Sequence, residues 1–373
     1  MAKQEPGFID LLKEIPDHRI DRKKLYPVEE LMLLTICGLS AGADDWDDLE
    51  LFGKLKLNDL RKYFPFENGT PSDDTLRRFF RTLDPLKFEE FFMRWVRSFQ
   101  LDLENKIIAV DGKVSRRSFD GDNKPLHLVS AFASELGITL GQVKTEDKSN
   151  EITAIPELLS LLDIAGAIIT IDAMGCQTKI VGQIIDQKGD YVIGLKGNQC
   201  NLRKDVELLF KDKPKGANFL KEETTDKGHG RIEKRICTVT EDILWLCEDH
   251  PKWTGLKTVI EIESHREIKG VKSIEKRYYI SSLKADAKLF LKAIREHWGV
   301  ENQLHWVLDV CFGDDLSRIR KGNAPQNMAI IKKTVLNLMK VIKQEMPRVS
   351  YRAMRKLVGW DSGFMEKVLM AKF

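Results

Sequence analysis

Over residues 1 to about 100 the apolar positions recur every three or four residues, the period of helices with one buried face. Pro27-Val28-Glu29-Glu30 opens one such helix, with proline and acids in its first turn, and it runs on through LMLLTICGLSAG. Asp44, Asp45, Asp47 and Asp48 surround Trp46. They read as the N-terminal end of a helix over DDLELFGKL, where the dipole favours negative charge, rather than as a metal site. The stretch TPSDDTLRRFFRTLDPLKFEEFFMRWVRSF predicts two helices joined at Asp84-Pro85, the first capped by Ser72. Arg77, Arg78 and Arg81 share a face of the first helix. That is compatible with helix-turn-helix DNA binding, and equally with ordinary packing.

From about residue 105 the pattern changes to short, continuous apolar runs. IIAVDG, LHLVSAFA and GITLGQVK predict three strands, the last two joined by the turn SELG. A helix begins near Ser149-Asn150-Glu151 and covers EITAIPELLSLLD. AIITIDA is a buried strand, QTKIVGQIIDQKG a helix, and DYVIGLKGN a further strand. Three strands in an antiparallel meander, with two more added through right-handed helical crossovers, is the order of a ribonuclease-H-like fold. After a helix near NLRKDVELLF, the segments RIEKRICTV, DILWL, TVIEIESHRE and KRYYISSL predict four strands, taken as an insertion over about 205–283. A long helical region, ADAKLFLKAIREHWGVENQLHWVLDVCF, follows. The predicted class is α/β: a ribonuclease-H-like mixed sheet with a β-rich insertion (101–317), an N-terminal helical domain (1–100) before it and a basic helical tail (318–373) after it.

Composition adds little to the fold but bears on partners. With 42% hydrophobic and 31% charged residues the chain is ordinary for a globular protein, and no apolar run is long enough to span a membrane. Six cysteines form no Cys-x2-Cys pair, which points to a reducing cytoplasm and away from structural zinc. The net charge of +3 conceals an asymmetry: Arg318 to Phe373 holds 13 Lys and Arg against 3 Asp and Glu, so 13 − 3 = +10. A basic end beside an acidic body predicts a polyanionic partner, most plausibly nucleic acid. A solvated pair of amphipathic helices is the plainer reading.

Two of the buried strands end on carboxylates, Asp111 and Asp172. In the predicted strand order they are neighbours, and adjacent carboxylates repel unless a cation lies between them. Mg²⁺, with Mn²⁺ able to substitute, suits oxygen ligands of this kind and phosphate chemistry. Two such ions about 3.5–4 Å apart would clamp the attacking and leaving oxygens of an in-line displacement. A third acid is expected from HWGVENQLHWVLDV, where helical spacing puts Glu301 on one face with His297 and His305. Asp309 lies near that face and is the rival, while Glu296 points elsewhere. His-x3-Glu-x3-His could also suggest zinc, but no third zinc ligand of suitable spacing stands out.

IIAVDGKVSRRS, KSNEITAIPELLSLLDIAG, ITIDAMGCQ, DYVIGLKGNQ, GHGRIEKR and HWGVENQLHWVLDVCFGDD, in this order, resemble the H-repeat-associated proteins of Rhs elements, which belong to the ISAs-type insertion-sequence transposases with an Asp-Asp-Glu active site. The resemblance covers nearly the whole chain. It implies that Asp111, Asp172 and Glu301 are catalytic, metal-binding acids that activate water and then a DNA 3′-hydroxyl for strand cleavage and transfer. The wider group carries Tyr-x2-Arg-x3-Glu-x6-Lys around the glutamate, whereas Ile294, His297, Glu301 and Leu308 stand at those positions here. His297 then replaces the arginine as a phosphate contact.

Other residues are candidates for DNA contact. Lys113, Arg116 and Arg117 follow the first acid, where backbone phosphates pass. Lys196 and Asn198 end the next strand on the same edge, and His229 and Arg231 lie in a hairpin-like GHGRIE. Trp245 could stack on a flipped base, although an aromatic in a strand is usually core. The resemblance implies double-stranded DNA as partner, both terminal repeats and target DNA, with self-association on DNA, no membrane and a cytoplasmic, nucleoid-associated location. The alternatives are a catalytically inactive DNA-binding relic of a mobile element and a simple nuclease on the same fold. A simple nuclease needs neither the N-terminal helices nor the insertion.

Overall fold

The computed structural model describes residues 7–17, 19–20, 24–119, 124–145, 151–228, 231–268 and 270–371. Five helices come first: α1 (Phe8–Leu11), α2 (Val28–Ala41), α3 (Trp46–Leu60), α4 (Asp73–Thr82) and α5 (Pro85–Arg97). Each start is set locally. Asp45 accepts from the Asp48 amide at α3, Ser72 from Thr75 at α4, and Asp84 from Leu86 and Lys87 at α5, where Pro85 fills the first position. The acids around Trp46 are thus a helix start. Helix α2 is apolar around most of its circumference and is buried accordingly, from Leu31 through Leu34 to Leu39.

The sheet begins with β1 (Ile107–Ser115), β2 (Leu126–Ala133) and β3 (Ile138–Thr145), an antiparallel meander. Helix α6 (Glu151–Ser160) leads to β4 (Ile168–Ile171), and α7 (Thr178–Asp186) to β5 (Asp190–Leu195). Strand β4 lies parallel to both β1 and β5. The start proposed for α6 at Ser149-Asn150 falls outside the described residues.

Helix α8 (Cys200–Asp212) precedes β6 (Leu220–Gly228), β7 (Arg231–Thr240), the short helix α9 (Leu244–Asp249), β8 (Thr258–Ile268) and β9 (Val271–Ser281). These strands extend the same sheet, because β9 pairs antiparallel with β5; the order is β3-β2-β1-β4-β5-β9-β8-β7-β6. Two sequence expectations fail here. DILWL is mostly helix, since a four-residue apolar run fits a helical turn as well as a strand. The polar segment LKEETTDKG, with no apolar signal, is a strand held by its pairing with β7 from Leu220 to Gly228.

Helix α10 (Ala287–His297) runs into a π-helical turn (Val300–His305) and then α11 (Trp306–Phe312). The chain closes with α12 (Ala324–Glu345), α13 (Tyr351–Trp360) and α14 (Ser362–Leu369). Helix α12 packs on α2, α4, α5 and β3, and one apolar core joins the N-terminal helices, the sheet and the C-terminal helices. Asn337 completes this join by accepting from the Thr139 amide and donating to its carbonyl, each at 3.0 Å.

Part of the basic tail is therefore interior, contrary to its reading as a surface for a polyanion. Lys332 is paired with Asp314 at 2.9 Å, and Lys333 donates to Ser130 and Gln142. Arg355 donates to the carbonyls of Leu39 and Ala43 and meets Asp44. Buried cations need such partners, and the tail supplies the fold with them.

Candidate active site

The last paired rows of β1 and β4 match Val110 with Ile171, so Asp111 and Asp172 are the next residue on each strand. Neighbouring strands lie about 4.8 Å apart, which brings the two acids side by side at the C-terminal edge. Asp111 stays in register with Ser130 of β2. Asp172 leaves its strand and caps the following turn, accepting from the Met174 amide at 2.9 Å and that of Gly175 at 3.4 Å.

Glu301, the acid expected from the sequence as the third, lies on the π turn. A π turn widens the helix by an extra residue and changes which side chains share a face. His305 Nδ1 lies 3.1 Å from Glu301 Oε2 and 3.6 Å from Asp111 Oδ2. Ligand atoms of Asp111, Glu301 and His305 all fall within 4.8 Å of one another. Asp309, the rival acid, is held by Lys113 at 2.6 Å, and Asp315 shares that ammonium at 3.3 Å.

The charges at this edge are out of balance. Burial pushes the Asp111 carboxyl up to about 6; His305 and the Gly112 amide oppose the rise, and the negative charges of Asp172 and Glu151 add to it. The hydrogen bond from His305 holds Glu301 below the usual carboxylate range. Carboxylates on adjacent elements, one of them keeping its proton more tightly than usual, fit a hard divalent cation.

His297 does not join Glu301 and His305. Its Nδ1 is 3.1 Å from Thr170 Oγ1, and burial lowers its proton affinity while Asp172 opposes that. It lines a cavity of about 320 Å³ beside Asp172, with Lys196, Arg277, Ile294 and Trp298. Trp298 is half exposed and was not singled out from the sequence, although it follows His297 directly. Trp245 lies on α9 and not in a strand, and it does not line this cavity.

The remaining candidates divide. Lys113 points inward to Asp309 and Asp315 rather than out to phosphate. Arg116 is exposed and 3.5 Å from Asp315, and Arg117 is exposed. Lys196 is exposed, whereas the Asn198 side chain donates to the Ala173 carbonyl at 2.7 Å and braces the turn after Asp172. His229 lies outside the described residues; Arg231 begins β7, and its side chain is not described. Leu308, at the position of the wider group's lysine, is core.

A mixed α/β sheet with acids gathered at the end of its parallel pair is what comparison with known proteins now puts in context. A family model described as "Transposase DDE domain" matches residues 102–338, and one described as "DDE_Tnp_1-associated" matches residues 9–96. The chain belongs to the DDE transposase family. An Escherichia coli "Putative transposase YncI" is 44% identical over 372 residues, covering 97% of this chain and 94% of that protein. The Escherichia coli "H repeat-associated putative transposase YhhI" is 40% identical over 371 residues, covering 95% of each chain. A cryo-EM structure of a piggyBac transposase synaptic complex with hairpin DNA overlaps at TM-score 0.44 and 12% identity, covering 96% of this chain and 78% of that one; an overlap this distant carries no argument. No described helix is long and apolar enough to cross a membrane.

Proposed function

We propose that the chain cleaves and joins DNA strands at the ends of an insertion sequence, with Asp111, Asp172 and Glu301 as the three catalytic acids on a ribonuclease-H-like sheet. The observation that carries this reading is the meeting of three elements at one edge: β1 and β4 in parallel register bring Asp111 beside Asp172, and the π turn brings Glu301 to the same place through His305. In the reaction, water attacks the phosphorus, the P–O3′ bond breaks and a 3′-hydroxyl leaves. That hydroxyl then attacks a phosphorus of target DNA, releasing a second 3′-hydroxyl.

Asp111, Asp172 and Glu301 would hold Mg²⁺ or Mn²⁺, which when bound would supply Lewis acidity towards the phosphate and activate the attacking water or hydroxyl. The chain's own residues do the positioning. His305 orients Glu301 and Asp111 together. Asn198 fixes the turn behind Asp172, and Lys113 holds the end of α11 against β1. Arg116, Arg117 and Lys196 are exposed near this edge and suit the DNA backbone. His297 serves the same DNA through the cavity beside Asp172.

The test is divalent-dependent cleavage of DNA carrying the gene's own flanking sequences. Asp111→Asn, Asp172→Asn and Glu301→Gln should each abolish cleavage, while Asp309→Asn keeps it. Cleavage undiminished in Asp172→Asn would defeat the three-acid reading. Specific binding without cleavage by the unaltered chain would favour a DNA-binding relic.

A further inference from the structure

Behind the first acid lies a buried ionisable pair that the three-acid reading leaves unused. Side chains alternate along β1, so Asp111 and Lys113 face α11 while Gly112 faces the other way. On that opposite face, Glu151 from the first turn of α6 meets His127 of β2, Oε1 to Nε2 at 2.9 Å. His127 is 2% exposed and Glu151 7%, and neither ring nitrogen of His127 makes a hydrogen bond among the described residues, so the two side chains meet as a close polar contact without hydrogen-bond geometry.

The pair rests directly on Gly112. A Cβ there would fall inside contact distance of the Glu151 carboxylate and 2.9 Å from His127 Nε2. Gly112 has no positive φ, so it is the space above its Cα, not backbone conformation, that requires glycine. Its peptide joins directly to Asp111, and the Gly112 amide is one of the groups acting on the Asp111 carboxylate. A carboxylate and an imidazole at this depth are costly to bury, and each offsets only part of the other's desolvation.

We propose that Glu151 and His127 are positioning residues for Asp111: packed on Gly112 from the opposite face of the sheet, they fix the peptide that aims the Asp111 carboxylate at the cation. This rests on the reading of Asp111 as a cation ligand. Groups that orient ligands from behind change metal affinity by about 10–100-fold when replaced.

The experiment measures Mn²⁺ half-saturation by electron paramagnetic resonance on the full chain, at a temperature where each variant is folded. Glu151→Gln and His127→Gln should each raise it about tenfold, and Gly112→Ala should do the same by pushing the pair away. A role confined to packing would lower Tm and leave half-saturation of the folded protein unmoved. Values within twofold of the unaltered chain, while Asp111→Asn loses binding, would overturn this inference and spare the three-acid site. Unchanged binding in Asp111→Asn would overturn both. Should Glu151→Gln fail to fold, His127→Gln decides, since it approaches from strand β2 rather than from helix α6.

Discussion

Lys113 donates to Asp309 across 2.6 Å, tying the strand that carries Asp111 to the helix that follows Glu301. The lysine is largely buried and also meets Asp315. This one contact does two things: it turns the lysine inward, away from the surface proposed to face DNA, and it occupies Asp309, the rival of Glu301 for the proposed third acid.

Lys113 and Lys196 should therefore behave differently towards DNA. Lys196→Ala is expected to weaken binding and reduce the slope of log affinity against log salt by about 1, as the loss of one phosphate contact does. Lys113→Met should leave the slope unchanged. It should instead cost about 1–3 kcal/mol of stability, because charged hydrogen bonds in a partly screened site are lost. Fluorescence anisotropy across a salt series and denaturant unfolding read the two effects separately.

On the proposed reading, the proton on Asp111 competes with the cation. Its folded-state value of about 6 lies above the ordinary 3.8, so the stability this proton contributes to the metal-free fold is full below 3.8 and is lost as pH rises through 6. Mn²⁺ affinity should accordingly fall below pH 6, by up to about tenfold per pH unit, in calorimetric titrations from pH 5 to 7.5. Asp172→Asn removes a like charge and should bring the Asp111 midpoint down, as carboxyl NMR would read.

Glu89 and Lys333 face one another through Gln142, whose amide N–H donates to Glu89 and whose side-chain oxygen accepts from Lys333. Burial raises the proton affinity of the Glu89 carboxyl and lowers that of the Lys333 ammonium, and the charge of each opposes the shift of the other. Removing either partner strands the other, so Glu89→Leu or Lys333→Met alone should cost about 3–5 kcal/mol, and the double variant much less than their sum. A double-mutant cycle by urea unfolding measures this.

The π turn should be separable from the fold. Deleting Asn302, an exposed residue within it, removes the extra residue and lets α10 and α11 run on as one α-helix. Circular dichroism should change little, whereas Mn²⁺ binding should weaken, because losing one residue turns Glu301 by about 100° relative to α11, which Lys113 ties to β1, and so away from Asp111.

Much of this was legible in the sequence because it is encoded locally. The caps at Ser72 and Asp84 and the strands before Asp111 and Asp172 needed only neighbouring residues to be read. The strand Leu220–Gly228 was not legible, because its alternation is polar and its hydrogen bonds go to β7. The helix at Leu244–Asp249 was misread because a short apolar run has no period of its own. Arg355 looked like surface charge until α13 packed against α2 and its guanidinium met the carbonyls there.

By itself, then, the sequence determined the order of elements from β1 to β5, the two strand-ending acids and the helical segment that holds Glu301, because periodicity and capping act within a few residues. Tertiary structure decided which side chains of that segment reach Asp111. A helix fixes spacing along its length, but the phase with which it meets a sheet depends on the π turn at Val300–His305 and on Lys113 taking Asp309, contacts between residues far apart in the chain. It also turned part of the basic tail inward, since buried carboxylates and carbonyls contributed by distant elements offer partners that no stretch of local sequence specifies.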